Sequence, residues 1–324
     1  MKTTKKIASV FAAAAMMLTM AGCKEGGAGD GEKVYNIGIC QLVQHEALDA
    51  ATQGFKDVLT EKLGDNVKFD EQNANGESTN CTTICTGFAA ANVDLILANA
   101  TGALQAAGAA TATIPILGTS VTDYATALSM DNWTGATGTN ISGTSDLAPI
   151  DEQAAMMLEM FPDAKNIGIL YCSAEANSKY QATKFTEALA GKGVTVKEYS
   201  AADTNEISAV TSTAAAECDV IYIPTDNTMA SSTETVKNIV VPAKVPVVAG
   251  EEGICKGCGV ATLSISYYDL GKVTGEMAYE ILVNGADIKT IDVRFAPNVT
   301  KKYNASICAE LGITPPEGYE AIAE

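Results

Sequence analysis

The sequence predicts an α/β fold in which two doubly wound parallel-sheet lobes are joined by a hinge and enclose a cleft. Apolar segments and helical segments alternate along the chain, which is the order of a parallel sheet with right-handed crossover helices. The pattern is also repeated, because three strand-like blocks of the first half return in the second half with nearly the same spacing. These blocks lie at 36–43, 93–103 and 114–123, and then at 166–173, 218–228 and 245–253.

Each block is rich in Ile, Val and Leu and ends in Gly, Ser, Thr, Asn or Asp, as parallel strands buried on both faces do. Helices are predicted between the blocks at 47–61, 79–91, 103–112, 151–160, 178–189, 206–216 and 231–240. In open α/β sheets, ligands bind beyond the carboxyl ends of the strands. Two lobes whose strand ends face each other therefore enclose a binding cleft.

Composition excludes several classes of function. The 324 residues include 21 Lys and Arg against 39 Asp and Glu, a formal charge of −18, so nucleic acid is not an expected partner. His45 is the only histidine, so a two-His zinc site is excluded and a Ser-His-Asp triad would have to use this residue. No G-x-S-x-G elbow and no G-x-x-x-x-G-K-[ST] loop occurs. We therefore expect no enzyme activity, no metal and no cofactor.

The first residues are typical of an exported lipoprotein. Residues 1–22 carry three lysines and then an unbroken run of apolar and small residues, the pattern of a secretory signal peptide. They end in Met20-Ala21-Gly22 before Cys23, which resembles a bacterial lipobox and predicts lipidation of Cys23. The alternative is an ordinary secreted start with a chance cysteine. Residues 23–33 then form a lipidated, Gly-rich flexible tether, and we expect the protein outside the cytoplasm, anchored to the outer face of the cell membrane.

Several segments together resemble the tryptophan/tyrosine-type substrate-binding proteins of ABC transporters, which have the type I periplasmic-binding-protein fold. The segments are IGICQLVQHEALDAATQGF (37–55), QNANGEST (72–79), DLILANATGALQAA (94–107), NISGTSDL (140–147), AEANS (174–178), IYIPTDNT (221–228) and YYDLGKVTGEMA (267–278). The resemblance implies a monomeric receptor that catches an amino acid, aromatic by this family's pattern, and delivers it to the permease subunits of an ABC transporter. It implies lobe 1 at 34–145 plus 262–288, and lobe 2 at 146–261 plus 289–324.

An amino acid ligand needs anionic partners for its ammonium group and hydrogen-bond donors for its carboxylate. The only arginine, Arg294, lies outside the strand-end blocks, so the donors are expected from hydroxyls, amides and helix N-termini. Thr101-Gly102 and Asn177-Ser178 stand where a strand passes into a helix. Asp226 is the first candidate for the ammonium and Glu175 the second, with helix capping as the alternative role of Asp226.

The family pattern directs His45 into the cleft, although a surface histidine at a helix start is the alternative. The remaining candidate ligand-binding residues, all at or beside strand ends, are Leu42, Ser120, Thr122, Thr225, Asn227 and Glu252. The sequence leaves a second function open, a receptor of the same fold that binds a sugar or nucleoside and serves a transporter or a sensory partner.

Eight cysteines remain after Cys23, and their state is left open by the sequence. An exported chain normally pairs such a set into disulfides, yet several of them fall in predicted buried strands, where cysteine acts as a small apolar residue. The alternatives are reduced thiols, a disulfide between Cys255 and Cys258, or a metal site that also uses Cys81 and Cys85.

Overall fold

The computed structural model describes residues 33–131, 133–315 and 317–323. The predicted signal peptide, the lipidation site Cys23 and residues 24–32 of the predicted tether lie outside the described residues. The predicted α/β class is confirmed, because helices alternate with strands in two predominantly parallel sheets.

The strands are β1 Tyr35–Gln41, β2 Val67–Asn73, β3 Leu95–Asn99, β4 Ile116–Val121, β5 Ile141–Ser145, β6 Asn166–Cys172, β7 Thr195–Ala201, β8 Val220–Ile223, β9 Val247–Ala249, β10 Ala261–Ile265, β11 Arg294–Phe295, β12 Val299–Tyr303 and β13 Glu320–Ala321. The α-helices are α1 Glu46–Leu63, α2 Ser78–Ala91, α3 Thr101–Ala110, α4 Tyr124–Leu128, α5 Ile150–Met160, α6 Ala176–Leu189, α7 Ile207–Glu217, α8 Asn227–Ala230, α9 Thr233–Val240, α10 Glu252–Cys258, α11 Tyr267–Leu282 and α12 Ala305–Leu311.

Two sheets define two lobes. The sheet of lobe 1 has the order β11-β5-β4-β3-β1-β2, and the sheet of lobe 2 has the order β13-β12-β10-β9-β8-β6-β7. Neighbouring strands pair in parallel except β10 and β12, which are antiparallel. In each sheet the strand order proceeds from a central strand toward both edges, so helices cover both faces of the sheet. The carboxyl ends of the parallel strands lie at one edge of each sheet.

The central strands are apolar on both faces because helices bury both faces. In β3, Leu95 and Leu97 pack into one core and Ile96 and Ala98 into another, since successive side chains of a strand point to opposite faces. The same alternation divides β8, where Val220 and Tyr222 enter one core and Ile221 and Ile223 the other. Continuous apolar runs in the sequence therefore mark strands in the middle of a sheet.

The chain crosses between the lobes three times, at 146–149, at Ser266 and at 296–298. Strand pairing differs here from the predicted boundaries of the returning segment. β10, within the predicted 262–288 of lobe 1, pairs in the sheet of lobe 2, and β11, within the predicted 289–324 of lobe 2, pairs in the sheet of lobe 1. An apolar run does not specify which sheet it joins, and a two-residue strand has no periodicity to detect.

The returning segment is held in lobe 1 by close packing of α11 on α1. A Cβ atom on Gly271 would lie 2.0 Å from the carbonyl oxygen of Ala51, and one on Gly54 would lie 2.1 Å from that of Tyr268. The two helix backbones therefore touch at positions that only glycine allows. This contact fixes the start of α11, and with it the second crossing, beside the strand ends.

The eight cysteines are free and buried, so the structure has reduced thiols rather than a disulfide between Cys255 and Cys258. Among the described residues no group of three or more His, Cys, Asp or Glu side chains is arranged to hold a metal ion. Within the same part of the chain, no helix has the length and apolarity needed to span a membrane. Residues Val34–Glu324 form one compact unit.

Candidate functional site

Strand ends from both lobes meet at a cleft that contains two cavities. The inner cavity has a volume of about 10 Å³, and the outer one has a volume of about 370 Å³. Asn177 and Asn227 line both, so the two spaces adjoin. The inner cavity is further lined by His45, Leu48, Ser120, Thr122, Asp146, Thr225, Asp226, Ala230, Glu251 and Tyr267.

Asp226 is a buried carboxyl group at the start of α8. It is 1% exposed, and its two oxygens accept hydrogen bonds from the backbone N–H of Met229 at 2.8 Å and of Cys172 at 2.6 Å. Burial and, to a lesser extent, the nearby charge of Glu175 together raise the pKa of Asp226 to about 8, although the two backbone donors oppose the shift. Asp226 therefore caps a helix and also presents a carboxyl group to the inner cavity.

Asp146 lies on the first crossing between the lobes and is 2% exposed. Its oxygens accept hydrogen bonds from the hydroxyl groups of Thr122 and Tyr267, both at 2.9 Å. Because Tyr267 follows the second crossing, this contact joins two of the hinge segments. Burial raises the pKa of Asp146, since the two hydroxyl donors do not fully replace water.

Glu251 is the third buried carboxyl group of the inner cavity, at 2% exposed. It caps α10 by accepting hydrogen bonds from the backbone N–H of Gly253 and of Ile254. Burial raises the pKa of Glu251 to about 7. The inner cavity is thus surrounded by three carboxyl groups, and no Lys or Arg is found among the described residues that line it.

Two polar atoms at the inner cavity have no hydrogen-bond partner within the described structure: the Oγ of Ser120 and the Nδ1 of His45. Ser120 is 6% exposed and has a φ of 54°, in the left-handed region that a non-glycine residue seldom adopts. Burial lowers the pKa of His45, so its ring is neutral at pH 7. Buried polar atoms without partners, together with local backbone strain, are typical of ligand sites.

The outer cavity is larger and more apolar. Leu42, Val43, Ala174 and Ala202 contribute to its wall. The N-termini of α3 and α6 also line it, at Thr101-Gly102 and Ala176-Asn177, and neither helix has a side-chain cap. Their first backbone N–H groups are therefore available to a ligand anion.

Direct contacts across the cleft hold the two lobes together. The Nε2 of His45 in lobe 1 lies 3.1 Å from the Oδ1 of Asn227 in lobe 2. Lys256 in α10 of lobe 2 also forms an ion pair with Glu46 in α1 of lobe 1, at 3.1 Å. The described arrangement of the lobes is therefore a closed one, with the inner cavity enclosed between them.

Comparison with known proteins identifies the family. The family model for ABC transporter substrate binding proteins matches residues 36–324. The chain belongs to this family of ABC transporter substrate-binding proteins.

Relatives with solved structures share the fold of this substrate-binding protein. The crystal structure of an ABC domain from Streptococcus pneumoniae in complex with L-Trp is 32% identical, covers 88% of this chain and 100% of its own, and has a TM-score of 0.83. A ligand-free, open structure of a substrate-binding protein with adhesive properties from Clostridium difficile is 37% identical, covers 89% and 99%, and has a TM-score of 0.68. A tyrosine-binding protein of Clostridioides difficile is 35% identical over 89% of this chain and 88% of its own length.

The second of these structures is more similar in sequence to this substrate-binding protein but less similar in shape. Both cover nearly the same share of the chain, so coverage does not account for the lower TM-score. This chain is thus more similar in shape to the complex with L-Trp than to the ligand-free, open structure. The TM-scores and the direct contacts therefore agree on a closed conformation.

The structure brings together at the cleft most of the residues that the sequence analysis selects. His45, Ser120, Thr122, Thr225 and Asp226 line the inner cavity. Leu42, Thr101, Gly102 and Glu175 line the outer cavity, and Asn177 and Asn227 line both.

Two selected residues lie elsewhere, and Glu175 has a different role from the one expected. Ser178 is buried behind Asp226, to which its hydroxyl group is hydrogen-bonded. Glu252 lines neither cavity and forms an ion pair with Lys302 at 3.0 Å. The carboxylate of Glu175 accepts hydrogen bonds from Asn227 and Thr228, so it caps α8.

Sequence reasoning did not select Asp146 or Glu251, and for Tyr267 it left open whether the residue lines the pocket or belongs to the core. Asp146 and Tyr267 lie on crossings between the lobes, where no strand-end pattern marks them. For Glu251 a signal was present, because the residue stands two positions after the end of β9, at the strand-to-helix turn where ligands bind in such sheets. Arg294, which the sequence places away from the site, pairs through both guanidinium nitrogens with Glu280.

Proposed function

We propose that this protein is the extracytoplasmic binding component of an ABC importer and that it captures an aromatic amino acid by closure of its two lobes. The observation that carries the proposal is the pair of adjoining cavities, one small and acidic and one larger and partly apolar. The substrates named for the relatives, tyrosine and L-Trp, support an aromatic ligand. An outer cavity of about 370 Å³ is within the usual range for a small-molecule site.

In this proposal the ligand ammonium group enters the inner cavity. About 10 Å³ of free space holds one water-sized group, which suits an ammonium group and excludes an aromatic ring. The carboxyl groups of Asp146, Asp226 and Glu251 accept its hydrogen bonds. Ionisation of these groups is favoured once a positive charge lies beside them.

The rest of the ligand extends into the outer cavity. The ligand carboxylate lies at the boundary of the two cavities, where the backbone N–H groups at the starts of α3 and α6 bind it from opposite lobes. The side chain packs against Leu42 and Val43. A ligand that touches both lobes in this way stabilises the closed state by its differential affinity.

The setting of the protein follows from the same proposal. Lipidation at Cys23 anchors a monomer to the outer face of the membrane, and closure presents both lobes to permease subunits. The protein binds its ligand without converting it, since the ring of His45 contacts an amide oxygen of Asn227 rather than a nucleophile.

The test is a thermal-shift screen of residues 24–324 against the twenty amino acids, sugars and nucleosides, followed by calorimetry on each hit. A ligand that binds only the native state raises the melting temperature by mass action. Selective shifts with tyrosine, tryptophan or phenylalanine are expected. Shifts with sugars or nucleosides alone would overturn the proposed ligand and favour the receptor of the same fold for those solutes.

A further inference from the structure

The charged side chains that line the two cavities are all acidic. The carboxyl groups that line the two cavities belong to Asp146, Asp226 and Glu251 in the inner one and to Glu77, Glu175 and Asp203 in the outer one. No Lys or Arg is found among the described lining residues of either cavity. A ligand with net positive charge is therefore favoured by the surrounding field.

Hydrogen bonding at the inner cavity also favours an amine. The Oγ of Ser120, which is 6% exposed, has no partner, and a hydroxyl oxygen accepts a hydrogen bond from an ammonium group. With the three carboxyl groups, this provides acceptors on several sides of a space that holds one water-sized group. The inner cavity therefore matches an ammonium group in size and provides hydrogen-bond acceptors for it.

A ligand carboxylate has weaker support in the same cleft. The amide of Asn227 donates to Glu175 at 2.7 Å, and the amide of Asn177 donates to the carbonyl oxygen of Thr225 at 3.1 Å. These two amides are engaged within the protein, so the remaining donors are uncharged: backbone N–H groups and side chains such as the hydroxyl groups of Ser78 and Thr101. The carboxylate must also approach the carboxyl group of Glu175, which repels it.

We propose that the cleft recognises its ligand through the amine and the aromatic ring, and that it therefore also binds aromatic monoamines without a carboxylate, the decarboxylated forms of aromatic amino acids. This inference rests on the proposed function, because it uses the same two cavities. The loss of the backbone contacts to the carboxylate is offset by the removal of its charge from an acidic cleft. The amine, in contrast, is required.

The experiment compares three compounds by calorimetry on residues 24–324 at pH 7.5: L-tyrosine, tyramine and 3-(4-hydroxyphenyl)propanoate, which lacks the amine. We expect tyramine to bind within about tenfold of tyrosine, and the propanoate to bind about a hundredfold more weakly or not at all. Tyrosine binding with tyramine weaker by more than about tenfold overturns the inference and leaves the proposed function intact. Propanoate binding as tight as that of tyrosine also overturns it. Absence of binding by tyrosine, tryptophan and phenylalanine overturns the proposed ligand and the inference together.

A charge variant provides a second readout that folding defects do not imitate. Glu77→Gln with Asp203→Asn removes two exposed charges from the outer cavity. This double variant should weaken tyramine relative to tyrosine by about twofold to fivefold at low salt, and added salt should reduce the difference. The matched control, Glu61→Gln with Asp65→Asn, lies outside both cavity linings and should leave the ratio of the two affinities unchanged. An unchanged ratio in the first variant overturns the role of the acidic field.

Discussion

Replacement of Asp226 by asparagine tests the ammonium site most directly. The side chain is 1% exposed and lines the inner cavity, so in the proposed binding mode its contact with the ligand ammonium group is a buried, charge-assisted hydrogen bond. Such a bond contributes about 1.5–3 kcal/mol. At about 1.4 kcal/mol for each tenfold change, Asp226→Asn should weaken tyrosine binding by about 10-fold to 150-fold.

Asparagine keeps the shape of the side chain but cannot keep both of its backbone hydrogen bonds. Its amide NH₂ would face the N–H of either Cys172 or Met229, leaving a donor unpaired. The variant should therefore also lose about 1–3 kcal/mol of unfolding free energy. Urea unfolding measures this cost, and circular dichroism at the assay temperature checks that the variant is folded when its affinity is determined.

Asp219 offers the matched control for this substitution. Its carboxylate also accepts hydrogen bonds from two backbone N–H groups, those of Lys165 and Asn166, at 2.8 and 2.7 Å. It precedes β8 and so lies at the amino ends of the strands, opposite to the cleft. Asp219→Asn should leave the tyrosine Kd unchanged in calorimetry. A folded Asp226→Asn protein whose Kd stays within about twofold of wild type would refute the assignment of Asp226 to the ammonium site.

Three further predictions concern closure, pH and helix packing. His45→Ala removes a contact that the closed arrangement makes across the cleft, so the fall in radius of gyration that tyrosine causes in small-angle X-ray scattering should be smaller in the variant than in wild type; an equal fall would contradict a closing role. Burial raises the pKa of Asp226 to about 8 and of Glu251 to about 7 from ordinary values of 3.8 and 4.5, so between these limits the native state holds protons that the unfolded state has released. The free energy of unfolding should therefore fall as pH rises from 5 to 8, by about 1.4 kcal/mol per pH unit for each proton. Over this range the melting temperature of wild type should fall more steeply than that of Asp226→Asn. Parallel melting-temperature curves would contradict the raised pKa. Gly271→Ala forces a Cβ atom against a helix backbone and should lower the free energy of unfolding, measured in urea, by about 3 kcal/mol. Gly87→Ala, which has open space around it in α2, should raise the free energy of unfolding by about 0.5–1 kcal/mol. Equal effects of the two substitutions would contradict the close packing of α1 and α11.

The hydrogen bonds around the inner cavity also account for the close approach of three carboxyl groups in the closed arrangement. Each of its three carboxyl groups already has two hydrogen-bond donors from the protein. Protonation removes the repulsion that three buried charges would otherwise exert on closure. In the proposed binding mode a ligand ammonium group takes the place of a bound proton, so ligand affinity should depend on pH through the same side chains.

The sequence by itself determined the fold class and most of the cleft. Repeated apolar blocks predict two parallel sheets, because a strand covered by helices on both faces must be apolar throughout, and this requirement is local. The residues that follow such a strand lie at the carboxyl edge wherever the sheet is placed. His45, Thr101 and Asp226 could therefore be located at the cleft without knowledge of the tertiary structure.

Only the tertiary structure decided the composition of the inner cavity and the sheet to which each late strand belongs. Adjacent residues at a helix start point about 100° apart, so Glu251 faces the cavity and Glu252 faces away from it. Two consecutive glutamates in the sequence do not indicate which of them faces inward. Asp146 and Tyr267 meet because two crossings, far apart in sequence, run side by side at the hinge. Likewise, β10 and β11 join their sheets through pairing with strands distant in the chain, and such long-range pairing leaves no signal in local periodicity.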